Sequence, residues 1–492
     1  MNAALRGAGV AAAVLAVLAG CALGPDHVRP DAPTPAAYKE APRDGGATWL
    51  PAAPADTLDR GDWWRLFDDP ELSRLAAEVD AANQTVAGAL ASYRQAQAIV
   101  REARASYFPV VSLSASARRS GGSGRVGSGS GSAGASSGTS FDVSLDADWA
   151  PDFWGRVSRS VESARASEQA SAADLASARL SAQGELATFY FSLREADFEA
   201  ELLARTIEGY ERALQITQNR YAAGVVARTD VLQAETQLAT TRATLTTLRA
   251  NRARFEHAIA VLTGKAPGDV TIAPAPWNAV VPAVPLGVPS ELLQRRPDIA
   301  AAEREVAAAN AQIGIQKAGY FPSLTLGASL GNASSRVGEL FSVSNALWSI
   351  GVSVAQTVFD AGATSARVAG AEAARDVAVA RYRQTVLVAF QGVEDQLANA
   401  RAQAEQAALL KQASDAADLT EQQILNRYRA GQVGYTEVVT AQASALSARR
   451  SLVQVAVNRQ LSAIALIQAL GGGWDTGAPV EVKSSVRADN PR

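Results

Sequence analysis

Apolar residues follow two different spacings along this chain. A helical spacing runs over residues 70–106 and continues, without any proline, over 155–222 and again from about 229 to 262. The stretch 155–222 would be roughly 100 Å long as one helix. The pattern therefore predicts a helix followed, after an interruption, by a long antiparallel pair of helices.

A spacing of two replaces the helical spacing after Tyr107-Phe108-Pro109. Apolar and polar residues then alternate in two strands within residues 108–150, joined by a loop rich in glycine and serine. Each strand has about nine or ten alternating residues, the length of a membrane-spanning β-strand. We therefore expect the strands to span a membrane, the alternative being a soluble two-stranded sheet on the helices. The polar face of the second strand supports a water-filled interior, because it holds Asp142, Asp146 and Asp148.

Aromatic residues gather where the predicted strands meet the predicted helices. An aromatic girdle of this kind marks the two interfaces of transmembrane barrels. The sequence predicts membrane-interface positions for six of these residues: Tyr107, Phe108, Trp149, Trp154, Tyr320 and Phe321.

The whole order of elements recurs in the second half. A helix from Asp298 leads to Tyr320-Phe321-Pro322, two strands fall within 321–358 on either side of a loop expected at about 331–345, and long helical stretches cover 362–430 and 436–470. The offset between the halves is 213 residues at the Tyr-Phe-Pro segment and 207 where the longest helical stretch ends. The two offsets differ by six residues because the loop of the first strand hairpin is longer. A length change in an exposed loop is compatible with duplication, so the chain is a duplicated unit.

Residues 220–230 and 427–437 are similar, and each interrupts a long helical pattern. A glycine in each segment, Gly224 or Gly431, permits the positive φ that ends a helix, with little room for a side chain. An acidic residue suits the start of the following helix. Both segments are therefore predicted tips of helical hairpins. The threonines before those acids are expected to cap the following helices: Thr229 and Thr436.

These patterns divide the chain into six parts. We predict a signal peptide at 1–20, an extended amino-terminal arm and equatorial region at 21–70, a first repeat at 71–264, a proline-rich linker at 265–297, a second repeat at 298–471 and a tail at 472–492. The first repeat includes a strand hairpin and a helical hairpin, at 108–150 and 155–263, and the second repeats them at 321–358 and 362–470.

Four membrane-spanning strands in one chain cannot close a barrel. An open edge in lipid would leave backbone groups without hydrogen-bond partners, so the chain must assemble with copies of itself. Three copies supply twelve strands and pair every edge. The sequence thus predicts a mixed α and β fold: a homotrimeric β-barrel whose long helices form a second, α-helical barrel.

The amino terminus carries a targeting signal. Arg6 precedes an apolar run at 8–19 that is too short to span a bilayer as a helix. The run ends Leu-Ala-Gly-Cys, which matches a bacterial lipobox, and Cys21 is the one cysteine of the sequence. We expect cleavage before Cys21 and a covalent lipid on it, the alternative being an ordinary signal peptide. Ala22, in place of aspartate, favours export to the outer membrane by analogy with bacterial lipoproteins.

The composition narrows the classes of function. The 46 basic and 49 acidic residues give no electrostatic case for binding nucleic acid. His27 and His257 belong to no metal-spaced cluster and no nucleophile motif, so we predict no enzyme, no metal site and no cofactor. A periplasmic adaptor protein would show one helical hairpin flanked by several soluble β-domains, whereas this chain has two hairpins.

Together these residues resemble the TolC-like outer-membrane factors, in their OprM and NodT efflux-lipoprotein branch. The resemblance covers nearly the whole mature chain and depends on an ordered set of motifs. These are Cys21 with Pro25-Asp26 and Arg29-Pro30, Trp63-Trp64 with Phe67 and Asp69-Pro70, both Tyr-Phe-Pro segments, Asp152 to Arg156, residues 221–230, and Leu292-Leu293 with Arg295 to Asp298.

The resemblance implies a lipid-anchored channel of the bacterial outer membrane, with a large periplasmic part. Such a homotrimer docks on a periplasmic adaptor and, through it, on an inner-membrane efflux pump of the RND type. It is a passive conduit that exports small molecules such as drugs. Within the family, the exit duct of a type I protein secretion system is the alternative.

In this family the hairpin tips contact the adaptor and close the tunnel. Carried over by position, the docking residues are Gly224, Val225, Val226, Gly431 and Val433, and the candidate gate residues are Tyr428 and Glu437. The sequence departs from the family pattern at two places in the second tip. Thr440 stands where a second acid can occur, and Val433 stands where a basic gate residue can occur.

Overall fold

The computed structural model describes residues 23–40, 61–121, 138–282, 284 and 295–472. The predicted signal peptide, Cys21, a third of the linker and the tail from 473 lie outside these residues. The described elements are, in chain order, α1 (Pro70–Ala82), α2 (Gln84–Ala105), β1 (Val110–Ser120), β2 (Gly138–Trp149), α3 (Arg156–Ala222), α4 (Arg228–Leu262), α5 (Pro297–Lys317), β3 (Ser323–Ser334), β4 (Ala346–Ala355), α6 (Ala363–Arg429) and α7 (Tyr435–Ala469).

The long helices have equal lengths in the two halves of the chain. Helices α3 and α6 have 67 residues each, and helices α4 and α7 have 35 each. Their ends lie within one residue of the helical stretches expected from the apolar spacing. None of the described helices contains an apolar stretch long enough to cross a membrane.

The helix expected over 70–106 is two helices, and the single-helix prediction is wrong. Asn83 has an extended backbone and separates α1 from α2. Its buried amide Nδ2 donates to the carbonyl oxygen of Leu262 over 2.9 Å, and its Oδ1 accepts from the amide of Val86 over 3.0 Å. Because Asn83 forms these tertiary and capping bonds, the spacing of apolar residues alone could not reveal the break.

All four strands form one antiparallel sheet in the order β1-β2-β3-β4. The two predicted strand hairpins are therefore joined by pairing between β2 and β3, which lie far apart in sequence. Strand β3 also continues to Ser334, into the segment expected to be a loop from Gly331. It does so because Gly331 to Ser334 pair with Ser144 to Phe141 of β2.

The register gives the sheet one apolar face and one polar face. Partners in an antiparallel pair point to the same side, so each row of partners shares a face. One apolar row is Leu113, Leu145, Leu330 and Trp348. The neighbouring row on the opposite face is Ser112, Asp146, Ser329 and Ser349. Two-faced alternation of this kind suits lipid on one side and water on the other.

The chain forms two compact units, and each unit takes segments from both repeats. Of the described residues, the first unit contains 23–30, 93–121, 138–170 and 302–381, and the second contains the remainder. The sheet belongs to the first unit, and both hairpin tips belong to the second. The duplication in sequence is therefore not a division into two separately packed domains.

Arm residues 23–30 are bound to helices α3 and α5 within the first unit. The buried guanidinium of Arg159 donates to Asp26 Oδ1 over 2.9 Å. His27 Nε2 lies 2.6 Å from Oε1 of Glu303, a carboxylate that is also buried. The predicted extended arm is thus held by specific polar contacts over residues 23–30.

An aromatic cluster at the start of α1 anchors the core of the second unit. The ring of Phe67 lies 4.9 Å from that of Phe191 and 6.4 Å from that of Trp63, measured between centroids. Asp69 caps α1 by accepting from the amides of its first turn, and it also accepts from the Tyr190 hydroxyl over 2.7 Å. The Trp63-Trp64 and Phe67 motif of the sequence is therefore packed against helix α3.

A buried chain of charges joins α3 to α4 in the same unit. Arg194 Nη1 lies 3.0 Å from Asp197 Oδ2, and Arg252 Nε lies 2.6 Å from Asp197 Oδ1. The side chains of Arg194 and Asp197 are only 4% and 5% exposed. Both guanidiniums also donate to backbone carbonyls of residues 272 and 273, so the network fixes the start of the linker as well.

Candidate functional site at the hairpin tips

Both hairpin tips are closed by the same backbone hydrogen bonds. At the first tip, the amide of Val225 donates to the carbonyl oxygen of Arg220 over 2.9 Å, and the amide of Gly224 donates to Tyr221 over 2.9 Å. The second tip repeats the pair, from Gln432 to Arg427 and from Gly431 to Tyr428. This pair of bonds is the Schellman motif, in which a residue at positive φ ends a helix.

The glycines are required by backbone conformation and not by lack of space. Gly224 has a φ of 72° and Gly431 a φ of 73°, in the left-handed region that other residues rarely adopt. A Cβ atom added at either position would meet no atom within 4 Å. The expectation of little room for a side chain is therefore wrong at both tips within one chain.

The threonines do not cap the helices that follow the tips. Helix α4 begins at Arg228 after Ala227, and α7 begins at Tyr435 after Gly434, with no side-chain cap in either case. Each threonine lies one residue inside its helix, because the turn closes one residue earlier than expected. The capping prediction is thus wrong for Thr229 and Thr436. The first-turn acids were placed correctly and are Asp230 and Glu437.

The three tip valines differ in exposure. Val225 is 63% exposed, whereas Val226 and Val433 are half-buried. Val433 packs against a buried cluster of the second unit that contains Ala234, Tyr428, Tyr435 and Val438. A change at Val433 therefore disturbs packing, and Val225 is the better probe of what the tip contacts.

The two candidate gate residues have different surroundings. Glu437 is exposed in the first turn of α7. Tyr428 is only 8% exposed, and its ring packs at 60° against the ring of Tyr435, with centroids 5.5 Å apart. Burial, followed by the neighbouring Tyr428, raises the pKa of Tyr435 to about 12, so its hydroxyl stays protonated. Within one chain Tyr428 is thus a packing residue, and the gate role of both residues stays a prediction.

Tyr435 is not among the residues predicted from the sequence, although the repeat carries a signal for it. The repeat offset pairs Tyr428 with Tyr221, and Tyr435 with Arg228. Tyr221 is 46% exposed, unlike Tyr428. A comparison of the two repeats would therefore have shown an extra aromatic residue in the second tip, and hence a partner for Tyr428.

The six predicted interface aromatics gather at one end of the sheet. They flank the start of β1, the end of β2 and the start of β3, which the antiparallel register brings to the same end. Trp154 stacks on Phe321 with centroids 4.9 Å apart and donates from Nε1 to the carbonyl oxygen of Pro322 over 2.7 Å. Trp149 donates to the carbonyl oxygen of Tyr107 over 3.0 Å. Their position at a membrane interface stays a prediction.

Comparison with known proteins decides the family. The sequence pattern of a family described as "Outer membrane efflux protein" matches residues 69–265 and again residues 288–472. The chain belongs to the outer membrane efflux protein family. The double match corresponds to the duplication seen in the helix lengths.

Individual proteins of known sequence or structure support this assignment. The efflux protein is 30% identical over 463 residues to the probable efflux pump outer membrane protein TtgC of Pseudomonas putida, covering 93% of this chain and 94% of TtgC. It is 27% identical over 460 residues to the probable outer membrane lipoprotein SilC of Salmonella typhimurium, covering 93% of this chain and 97% of SilC. The structure of the outer-membrane channel OprN is 33% identical, with a TM-score of 0.80 over 92% of this chain and 100% of OprN.

These findings confirm four predictions made from the sequence. The identification as a TolC-like outer-membrane factor is correct, as are the efflux function and the outer-membrane location. The fold class is also confirmed: a trimeric outer-membrane β-barrel with four strands per chain, combined with a long α-helical barrel.

A titratable cluster lies farther along the helices of the efflux protein, away from the tips. A cavity of about 300 Å³ between α3, α4 and α7 is lined by Glu195, Glu199 and Arg450. Arg450 donates to Glu199. Burial raises the pKa of Glu195 to about 7, the Glu199 carboxylate adds to the rise, and Arg450 opposes it. Glu195 therefore takes up a proton near neutral pH in the folded protein.

We expect the substitution Glu195→Gln to stabilise the protein at neutral and higher pH. The folded pKa lies above the usual 4.5, so the folded state binds the extra proton between these values and stability falls as pH rises through that window. Glutamine mimics the protonated form. The free energy of unfolding should rise by about 1–3 kcal/mol at pH values above the pKa of Glu195 in the folded state. It should not change at pH values below the pKa of Glu195 in the unfolded state.

The melting temperature of the purified protein, measured from acidic to alkaline pH, checks this expectation. Glu208, which is exposed on the same helix, supplies the control variant Glu208→Gln. A gain for Glu195→Gln that is equal at all pH values would show that ionisation is not the cause.

Proposed function

We propose that three copies of this chain form the outer-membrane conduit of a tripartite efflux system. An inner-membrane pump supplies small molecules and energy, and a periplasmic adaptor joins the pump to the conduit. The conduit itself is passive, and the proposal includes no catalytic step. The observation that carries it is a single four-stranded sheet with one apolar and one polar face, in a chain that also presents two closed helical tips.

The sheet supports assembly with identical copies. Its outer strands, β1 and β4, are exposed along their whole length. Exposed apolar side chains alternate along one face of β4, at Trp348, Ile350, Val352 and Val354, as lipid contact requires. In hydrocarbon the two edges must be paired, and pairing β1 of one copy with β4 of the next satisfies both.

The tips support docking onto a partner protein. Their turns are exposed, fixed by backbone hydrogen bonds, and identical in geometry, so each protomer offers two similar surfaces. The adaptor is the partner that the family resemblance implies, and a pump of the RND type is the partner beyond it. Glu437, exposed in the first turn of α7, is the residue we propose for the closed end of the tunnel.

A bulky residue at the first tip should lower export without lowering assembly. In Val225→Trp the new side chain projects from an exposed turn position, so it should obstruct docking and leave the helices intact. The measurement is accumulation of a fluorescent efflux substrate in cells whose own gene for this chain is deleted. The trimer is quantified in the same membranes.

Val261 provides a matched control for this experiment. It is 62% exposed, close to the 63% of Val225, and lies on α4 roughly 50 Å from the tip. Val261→Trp should export like the parent. Equal loss of export in both variants, or loss of trimer in Val225→Trp, would count against docking at the tip. Normal efflux in the deleted strain, together with loss of a secreted protein, would favour the secretion duct instead.

Lipidation of Cys21 is a separate part of the proposal. Its support is the lipobox, the lack of any other cysteine in the sequence, and the similarity to a protein named as an outer membrane lipoprotein. Cys21→Ser should abolish incorporation of labelled palmitate. The trimer should persist, because the barrel holds the protein in the membrane. Palmitate label that survives the substitution would show that the lipid is attached elsewhere.

A further inference from the structure

A cavity of about 510 Å³ lies behind the two tips, inside the second unit. Its walls come from the last turns of α3, the last turns of α6 and the first turns of α7. Both helical hairpins therefore contribute to one space. Its volume falls within the range of small-molecule sites in proteins.

The charges around this cavity are mainly positive. Arg212, Arg220 and Arg429 line it. The carboxylate among the lining residues is Glu421, and it already accepts from Arg449 over 2.8 Å. The three guanidiniums are therefore not neutralised by the cavity wall, which favours an anionic ligand.

Two buried polar atoms in the wall have no hydrogen-bond partner in the described part of the chain. They are the hydroxyl of Tyr428 and Oε1 of Gln442, on residues that are 8% and 6% exposed. Buried polar atoms are almost always paired, so these two point to a group that the protein alone does not supply. Arg220 lies beside Tyr428, with its Cζ 4.8 Å from the centroid of the Tyr428 ring.

The rest of the wall is apolar. Ile216, Leu425 and Val438 line the cavity, and the rings of the two tyrosines complete this surface. A ligand that pairs with the guanidiniums and the Tyr428 hydroxyl and fills the apolar surface needs an anionic group at one end and an apolar body at the other. Such a ligand offers no donor to Oε1 of Gln442, which accepts from water or another donor. An inorganic anion would leave the apolar part of the cavity unfilled.

We propose that this cavity binds a small organic carboxylate with an aryl or short alkyl body. The carboxylate pairs with the guanidiniums of Arg212, Arg220 and Arg429, and the Tyr428 hydroxyl donates to it. The apolar body packs against Ile216 and Leu425. Because α3 belongs to the first hairpin and α6 and α7 to the second, the bound ligand ties the two tips together. This site goes beyond the conduit function and does not depend on it.

The test uses the full-length protein in lipid nanodiscs and three compounds that share one body. These are 3-phenylpropionate, 3-phenylpropylamine and 3-phenylpropanol, and binding is measured by calorimetry and by ligand-observed NMR. The acid should bind and raise the melting temperature, because a ligand of the folded state stabilises it. The amine and the alcohol should bind about tenfold more weakly or not at all.

Substitutions locate the site. Arg220→Gln and Arg429→Gln should each weaken binding of the acid about tenfold or more, by loss of a charge-assisted contact. Arg205→Gln is the matched control: it lies on α3, is exposed, and pairs with Glu201 outside the cavity. Arg429 is exposed, so its variant should fold even if Arg220→Gln loosens the packing on Tyr428.

Four results would overturn the proposal. They are no binding of 3-phenylpropionate to the parent, equal binding of acid and amine, equal weakening in Arg205→Gln, and unchanged binding in Arg429→Gln. The first of these would mean that water, or a neighbouring copy in the trimer, fills the cavity. Export activity is not used as a readout, so failure here leaves the conduit proposal intact.

Discussion

An arginine in place of Leu330 should prevent stable assembly of the barrel. Leu330 is 59% exposed on the central strand β3, between Leu145 and Trp348 on the apolar face. Arginine on the lipid face near the middle of a bilayer costs about 2–4 kcal/mol in a transmembrane barrel. Each trimer carries the change three times. We therefore expect little protein to reach a heat-resistant trimer, whose mass is about three times that of one chain.

The neighbouring residue supplies the control for this variant. Ser329 is adjacent in sequence but lies on the polar face, opposite Asp146 and Ser349. An arginine at Ser329 meets water and carboxylates in place of lipid, so Ser329→Arg should assemble like the parent. The amounts of trimer in outer membranes of both strains, compared by electrophoresis without boiling, check the difference. If the two variants assemble equally well, the apolar face does not contact lipid.

The second large effect should come from the buried charges between α3 and α4. In Asp197→Leu the guanidinium of Arg194, 4% exposed, loses its carboxylate, and the guanidinium of Arg252 keeps only that of Glu256, 3.3 Å away. Removing one partner of a buried ion pair typically costs about 3–5 kcal/mol, because a charge is left uncompensated. We expect a large fall in melting temperature and in the denaturant concentration at half-unfolding.

An exposed pair on the same helix serves as the comparison. Glu201 lies 3.7 Å from Arg205, and both side chains are about two-thirds exposed. Such surface pairs contribute about 0–1 kcal/mol, so Glu201→Ala should change stability little. A double variant, Asp197→Leu with Arg194→Met, should recover part of the lost stability, because it removes the buried charge that Asp197→Leu leaves without a partner. No recovery would mean that packing, and not charge, sets the cost.

The sequence by itself determined the secondary structure and its duplication, because these depend on local properties. The spacing of apolar residues changes from helical to alternating at each Tyr-Phe-Pro segment, and a glycine at positive φ follows each of the four long helices. The alternation also assigned the faces of the strands, since the side-chain period in a strand is two. The family followed from the order of these segments.

Only the tertiary structure decided where a helix breaks and where a strand ends. Asn83 breaks a helix because its amide bonds to Leu262, and β3 continues past Gly331 because β2 pairs with it. These contacts join residues distant in sequence, so no local pattern encodes them. The same holds for the functional surfaces. Tyr428 is buried and Tyr221 is exposed at equivalent places in the repeat, because Tyr435 occupies one tip and Arg228 the other. A duplicated sequence thus gives two tips with the same turn and different packing, since packing depends on every neighbour and a turn depends on one glycine.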